Sequence, residues 1–173
     1  MGTDVHDEFL AATLPALDLV YNLSRRLGRN RESVEDLVQE TYVKAFEAWS
    51  KGRKPQQVEP WIATICLNAG RSMWRKASTR REIVTEERSD EPSQVDVAEE
   101  AMQSLRKDAV HEALWMLPDE QRIAITLMDL DGFTAVEAAR ITGAPRGTIL
   151  SRVHRGRKKL ATLLDRKVSN HEA

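Results

Sequence analysis

Residues Phe133 to Leu160 constrain this chain more than any other stretch, because they spell two short amphipathic helices with a turn of three residues between them. Thr134 followed three residues later by Glu137 is a capping box. The hydroxyl can accept from the Glu137 amide while the carboxylate reaches back to the Thr134 amide. Gly143 suits the left-handed conformation that ends a helix, and Pro145 suits the first turn of the next, where its missing donor costs nothing. Ala138 and Ala139 are small enough to admit a close second helix, as a helix-turn-helix requires. In that second helix Ile149, Val153, Gly156, Leu160 and Leu163 recur at spacings of four, three, four and three, which places them on one buried face. The other positions carry Arg146, Arg152, Arg155, Arg157, Lys158 and Lys159, and no acidic residue lies between Glu137 and Asp165. A solvated helix mixes signs to gain pairs four residues apart, so this one-signed face is built for phosphate.

Upstream, the apolar residues Phe9, Leu10, Leu14, Leu17, Val20, Tyr21 and Leu27 recur at helical spacing, and Gly28 follows as a stop, so one helix is expected there. Ser33 with Asp36 is a second capping signal. After it Val34, Leu37, Val38, Thr41, Tyr42, Ala45, Phe46 and Trp49 form a broad stripe for the core, and the opposite face offers Glu35, Gln39, Glu40, Val43 and Glu47. Gly52 and Pro55 interrupt the pattern, and Pro60 opens a further helix bearing Trp61, Ile62, Ile65, Ala69 and Met73. Its far end gathers Arg71, Arg75, Lys76, Arg80 and Arg81 around Trp74. An aromatic ring among bases can stack on an unpaired nucleobase, but a tryptophan at helical spacing also serves as packing, and both readings of Trp74 stand at this point.

Between Glu82 and Glu100 apolar periodicity disappears, and eight acids stand against one base, Arg88. Such a stretch buries too little surface to offset its ordering entropy and reads as a flexible acidic linker. Helical pattern resumes near Val97 and runs to Leu117. Pro118, Asp119 and Glu120 then start another helix, through Ile123, Leu127 and Met128, with acids at the positive end of its dipole and Gly132 after it. No segment reads as a strand. The expected fold is all-α, in two small helical domains joined by the linker, with boundaries at 1–81, 82–109 and 110–173.

Charge and cysteine content narrow the function. The whole chain has net charge -1, so only the distribution speaks of nucleic acid: residues 82–112 hold ten acids against three bases, and residues 113–173 hold ten bases against seven acids. Cys66 stands alone, which excludes an internal disulfide, and its neighbours Ile62, Ile65 and Ala69 mark it as a small buried hydrophobe. Four scattered histidines offer no metal site, and no cofactor is expected. No cluster of His, Cys, Ser and carboxylate supports catalysis, so an enzyme is not expected. No apolar run approaches the roughly 18 residues of a membrane span, and the start lacks a signal peptide's segments, so a cytoplasmic protein without membrane contact is expected.

Three strings carry a family resemblance. Glu35-Asp-Leu-Val-Gln-Glu-Thr-Tyr-Val-Lys-Ala-Phe46 with Trp49, Trp61-Ile-Ala-Thr-Ile-Cys-Leu-Asn68 with Arg71 and Arg75, and Leu117-Pro-Asp-Glu-Gln-Arg122 with Gly147-Thr-Ile-Leu-Ser-Arg-Val-His-Arg-Gly-Arg-Lys-Lys-Leu160 resemble the extracytoplasmic-function sigma factors, small members of the sigma-seventy family of bacterial RNA polymerase. The chain departs from the family pattern at Ser72, where an acid is frequent, and at Ala138, where isoleucine is usual. The resemblance implies a non-enzymatic factor whose partners are core RNA polymerase, promoter DNA and an anti-sigma factor, with no small-molecule substrate. It implies that Asp36, Gln39, Glu40, Val43 and Glu47 meet polymerase, and that Asn68, Arg71, Trp74 and Arg75 meet the separated minus-ten strand. Arg146, Thr148, Ser151, Arg152, Arg155, Lys158 and Lys159 then meet the minus-thirty-five element, and the linker threads through polymerase toward the path of nascent RNA. A stand-alone helix-turn-helix regulator is the alternative; it would normally dimerise, and no heptad seam is present for that.

Overall fold

A computed structural model describes the backbone of residues 4–80 and 99–171, and within them all side chains except those of 80, 99–102, 104, 105 and 167–171. Every element among the described residues is helical: α1 (Val5–Thr13), α2 (Leu17–Leu27), α3 (Arg31–Ser50), α4 (Val58–Arg80), α5 (Glu99–Trp115), α6 (Asp119–Ile125), α7 (Ala135–Thr142) and α8 (Arg146–His171). The chain divides into two compact units, the first built on α1 to α4 together with the stretch Ala139–Gly143 and the second on the rest of α5 to α8. Most of the acidic stretch expected to link them lies outside the described residues, and α5 takes up its last part from Glu99 onward. No described helix is long and apolar enough to cross a membrane.

In the first unit α2, α3 and α4 pack pairwise. Val20, Leu23, Leu27, Leu37, Ile62 and Leu67 are among the side chains fully enclosed there. The single helix expected over Phe9 to Leu27 is two helices. Pro15 has no N–H to continue the ladder, so Leu14–Ala16 tightens into a 3-10 turn between α1 and α2. Tyr42 donates its hydroxyl to the Thr13 carbonyl at this break, at 3.1 Å. Burial raises the Tyr42 pKa above the ordinary phenol value, which keeps that donor protonated. Above the break, Phe9 meets Tyr42, Phe46 and Trp49 edge to face, with ring centroids 6.3, 5.2 and 5.8 Å away, and these contacts seat α1 on α3. Leu14, Leu17 and Tyr21, on either side of the break, lie at the surface.

Two helix starts differ from expectation by a few residues. α3 is capped by Asn30 and not by Ser33: the Ser33 amide donates to Asn30 Oδ1 at 2.8 Å, and the Asn30 amide donates to Ser33 Oγ at 3.0 Å. Asparagine is as good a cap as serine, and choosing it adds three residues to the helix. α4 opens at Val58, two residues before Pro60, because Pro60 is still within the first turn, whose N–H groups have no intrahelical partner. Cys66 is fully buried, as expected, with its sulfur 3.5 Å from Ser24 Oγ.

In the second unit Leu114, Leu117 and Ile125 form a cluster that Val110, Leu160 and Leu163 cover, so α5, α6 and α8 share one core. Arg122 is 3% exposed yet satisfied. It donates to the Leu117 carbonyl at 3.3 Å and to Asp119 Oδ1 at 2.7 Å, and its guanidinium lies 4.2 Å from the centre of the Trp115 ring. These contacts close the corner between α5 and α6. Beyond Ile125 the helix widens into a π turn, Thr126–Leu130, in which the Asp131 amide reaches back five residues to the Thr126 carbonyl at 2.9 Å.

Candidate nucleic-acid and partner interfaces

The helix-turn-helix is present with the predicted chemistry at its start. The Thr134 amide donates to Glu137 Oε2 at 2.8 Å, and the Glu137 amide donates to Thr134 Oγ1 at 3.2 Å. Gly143 takes φ +73°, a left-handed value that a side chain would oppose, and its amide closes α7 on the Ala139 carbonyl at 2.9 Å. Pro145 sits one residue earlier than expected: α8 opens at Arg146, and the Pro145 carbonyl accepts the first helical bond, from Ile149, at 3.1 Å. The turn therefore has the expected three residues.

Ile149, Val153 and Gly156 are buried and Leu160 and Leu163 half-buried, so the inner face of α8 is the one its spacing predicts. Gly156 has a reason beyond spacing. A methyl group there would stand 2.6 Å from Ile125 Cδ1 and 3.3 Å from its Cγ1, so the Ile125 side chain would have to shift to admit one. On the outer side Arg146, Arg155, Lys158 and Lys159 are exposed, and Thr148 and Ser151 are half-buried. Arg155 donates to Ser151 Oγ at 2.7 Å, which holds its guanidinium along the outer face.

Arg152 and Arg157 behave differently from the other four cations. Arg152 is paired at 2.7 Å with Glu120, at the start of α6, and its side chain is only 24% exposed. Arg157 donates through Nε to Asp129 Oδ2 at 2.8 Å and through Nη2 to the other oxygen, and this hydrogen bonding, with the carboxylate charge, raises its pKa further. Neither acid was visible as a partner in the sequence, because one lies 32 and the other 28 positions before its arginine. Leu150 and His154 also reach the surface of α8. The sequence carries one signal for them: both fall off the buried stripe.

On α4, Asn68 and Arg75 are exposed and Arg71 is half-buried, at spacings of three and four that place them on one face. Trp74 lies about 100° to the side of Arg75 on the helix, is half-buried, and donates its indole N–H to the Leu27 carbonyl at 3.1 Å. The bond ties the polar edge of the indole to a carbonyl at the end of α2. On α3, Val34, Leu37, Thr41, Ala45 and Trp49 are buried, while Asp36, Gln39, Val43 and Glu47 are exposed. Glu40, beside them, is half-buried and paired with Lys44 at 3.1 Å. Val43 is 55% exposed, an apolar residue left at the surface amid carboxylates.

Comparison with known proteins bears on these faces. Residues 15–80 match the family model of Sigma-70 region 2, and residues 107–160 match that of Sigma-70, region 4. The chain is 35% identical over 166 residues to the ECF RNA polymerase sigma factor EcfG of Rhodopseudomonas palustris, covering 92% of this chain and 84% of that protein. It is 34% identical over 149 residues to the ECF RNA polymerase sigma factor SigE of Mycolicibacterium smegmatis, spanning 85% of this chain but only 58% of that protein's length. Among solved structures it is similar to the sigma factor RpoE in complex with the anti-sigma factor NepR from Bartonella quintana, with a TM-score of 0.78 and 30% identity over 91% of this chain and 97% of that one. The two matched regions coincide with the two sets of helices whose outer faces are described above, and the chain belongs to the ECF sigma factors of bacterial RNA polymerase.

Proposed function

We propose that this chain binds core RNA polymerase through the outer face of α3 and carries the enzyme to promoters by contacting DNA through α4 and α8. One observation carries the reading: a single chain presents an acidic, valine-bearing face on α3 and, on α8, an outer face whose exposed charges are all cationic from Arg146 to Lys159. The first suits a protein partner and the second a phosphate backbone. Asp36, Gln39, Glu40, Val43 and Glu47 supply the polymerase contact. Asn68 offers an amide to a base edge of the separated minus-ten strand, with Arg71 and Arg75 on its phosphates. Arg146, Thr148, Ser151, Arg155, Lys158 and Lys159 address the minus-thirty-five duplex. Residues 1–81 and 110–173 are the two functional domains and 82–109 their connection. The catalytic chemistry belongs to polymerase.

The likeness to an RpoE solved together with NepR supports an anti-sigma factor as the partner that holds this chain inactive. Run-off transcription with core polymerase and a pool of genomic promoters tests the whole reading. Full-length transcripts from a subset of promoters, only when chain and polymerase are both present, are expected. Tight DNA binding by the isolated chain with no capture of polymerase would instead make it a stand-alone regulator.

A further inference from the structure

Arg152 and Arg157 lie on a helix that reads as DNA-facing, yet each is held by a carboxylate of the preceding elements of the same unit. Glu120 stands at the start of α6 and Asp129 in the π turn after it. Between these two pairs, Gly156 brings α8 within a methyl group's clash of Ile125. Glu120 with Arg152, Ile125 with Gly156, and Asp129 with Arg157 thus mark three successive contacts of α6 and its π turn along α8. The buried stripe of Ile149 and Val153, with Leu160 and Leu163, already fixes the inner face of α8, and a close glycine crossing leaves only a small residual roll about it. An ion pair on either side of the crossing narrows that residual roll, and so sets how the side chains along the outer face of α8 are presented.

A phosphate would have to take Arg152 from a carboxylate already at 2.7 Å, and the released Glu120 would then face the DNA's own negative charge. The forked contact from Arg157 to both oxygens of Asp129 likewise uses the geometry that a guanidinium would offer to phosphate or guanine. By contrast Lys158 and Lys159 are exposed, and Arg155 is exposed and held only by a neutral hydroxyl.

We propose that Arg152 and Arg157 are positioning residues that set the roll of α8 through Glu120 and Asp129, and that DNA is contacted by Arg146, Arg155, Lys158 and Lys159 alone among the six cations. Glu120 and Asp129 then determine promoter binding without touching DNA. This rests on α8 being the helix that meets the promoter.

The test uses the full chain assembled with core polymerase, and measures binding to a duplex promoter across a salt series. Arg152→Gln should leave the slope of log affinity against log salt unchanged, whereas Arg155→Gln should reduce it by about one unit. Arg152→Glu and Glu120→Arg should each weaken binding about tenfold, and the double variant with both charges exchanged should return to within about threefold of wild type, since the pair interacts mainly with itself. A double variant as weak as Arg152→Glu, or a slope lowered by about one unit in Arg152→Gln, would show that Arg152 itself holds phosphate and would overturn the proposal. Should Arg155→Gln change neither affinity nor slope, the assignment of α8 to DNA falls, and the positioning role with it. Arg152→Gln removes charge without reversing it, so the slope comparison remains decisive if the reversed variants fold poorly.

Discussion

The indole N–H of Trp74 donates to the backbone carbonyl of Leu27, 3.1 Å away and 47 residues earlier in the chain. This ties the basic end of α4 to the last turn of α2, where carbonyls have no partner within their own helix. Trp74→Phe keeps one aromatic ring but removes the donor and part of the buried indole, so it should lower the stability of the first unit by at least about 1 kcal/mol. Urea denaturation followed by circular dichroism measures this. Arg75→Ala, at an exposed neighbouring position, should change stability by less than about 0.5 kcal/mol. A Trp74→Phe variant as stable as wild type would mean that the bond contributes nothing.

Gly156→Ala should destabilise the second unit, because the added methyl meets Ile125 Cδ1 at 2.6 Å in a buried contact. Overpacking costs about 1 to 3 kcal/mol, and the better helix propensity of alanine returns about 1 kcal/mol, so a net loss of up to about 2 kcal/mol is expected. Ile125→Val removes the offending atom. A double-mutant cycle in thermal denaturation should therefore show positive coupling, with Ile125→Val costing less in the Gly156→Ala background than in wild type. Additive effects would place the clash elsewhere.

Glu40→Lys should leave the fold intact and impair capture of core polymerase. Its pair with Lys44, at 3.1 Å, is half exposed, and losing an i,i+4 pair of this kind costs a few tenths of a kcal/mol. Reversing a charge within a complementary interface mainly slows association, so the defect should appear as a lower on-rate that depends on ionic strength. Pull-down and surface-binding kinetics read it directly. Normal capture by this variant would return the face to plain solvated surface.

Asn68→Ala should leave binding to duplex promoter unchanged and fail at strand opening. Asn68 is exposed on the face it shares with Arg71 and Arg75, so truncating it disturbs no packing. An amide reading an unpaired base makes its contact only once the strands separate. Permanganate footprinting would show weaker opening on an intact promoter, and a pre-melted template would narrow the gap. If wild type and variant open the intact promoter equally, Asn68 has no part in melting.

Local chemistry in the sequence determined the all-helical class, the buried faces of α3 and α8, and the capped start and glycine end of α7. Each of these depends on residues within one or two turns of one another, where spacing and propensity act directly. Nearby rules also misplaced some boundaries: Ser33 and Asn30 are both competent caps, and the order of use depends on which gives the longer packed helix. Pro15 marks a break that the apolar periodicity of Phe9 to Leu27 masks, so one helix is expected where the chain forms two. The tertiary structure alone decided which cations of α8 remain for a phosphate. Six bases in a row of fourteen residues look alike as a sequence, but Glu120 and Asp129 arrive from α6 and its π turn to occupy two of them. That pairing depends on a helix crossing at Gly156, and a crossing is a property of two surfaces in contact, to which no single stretch of chain gives access.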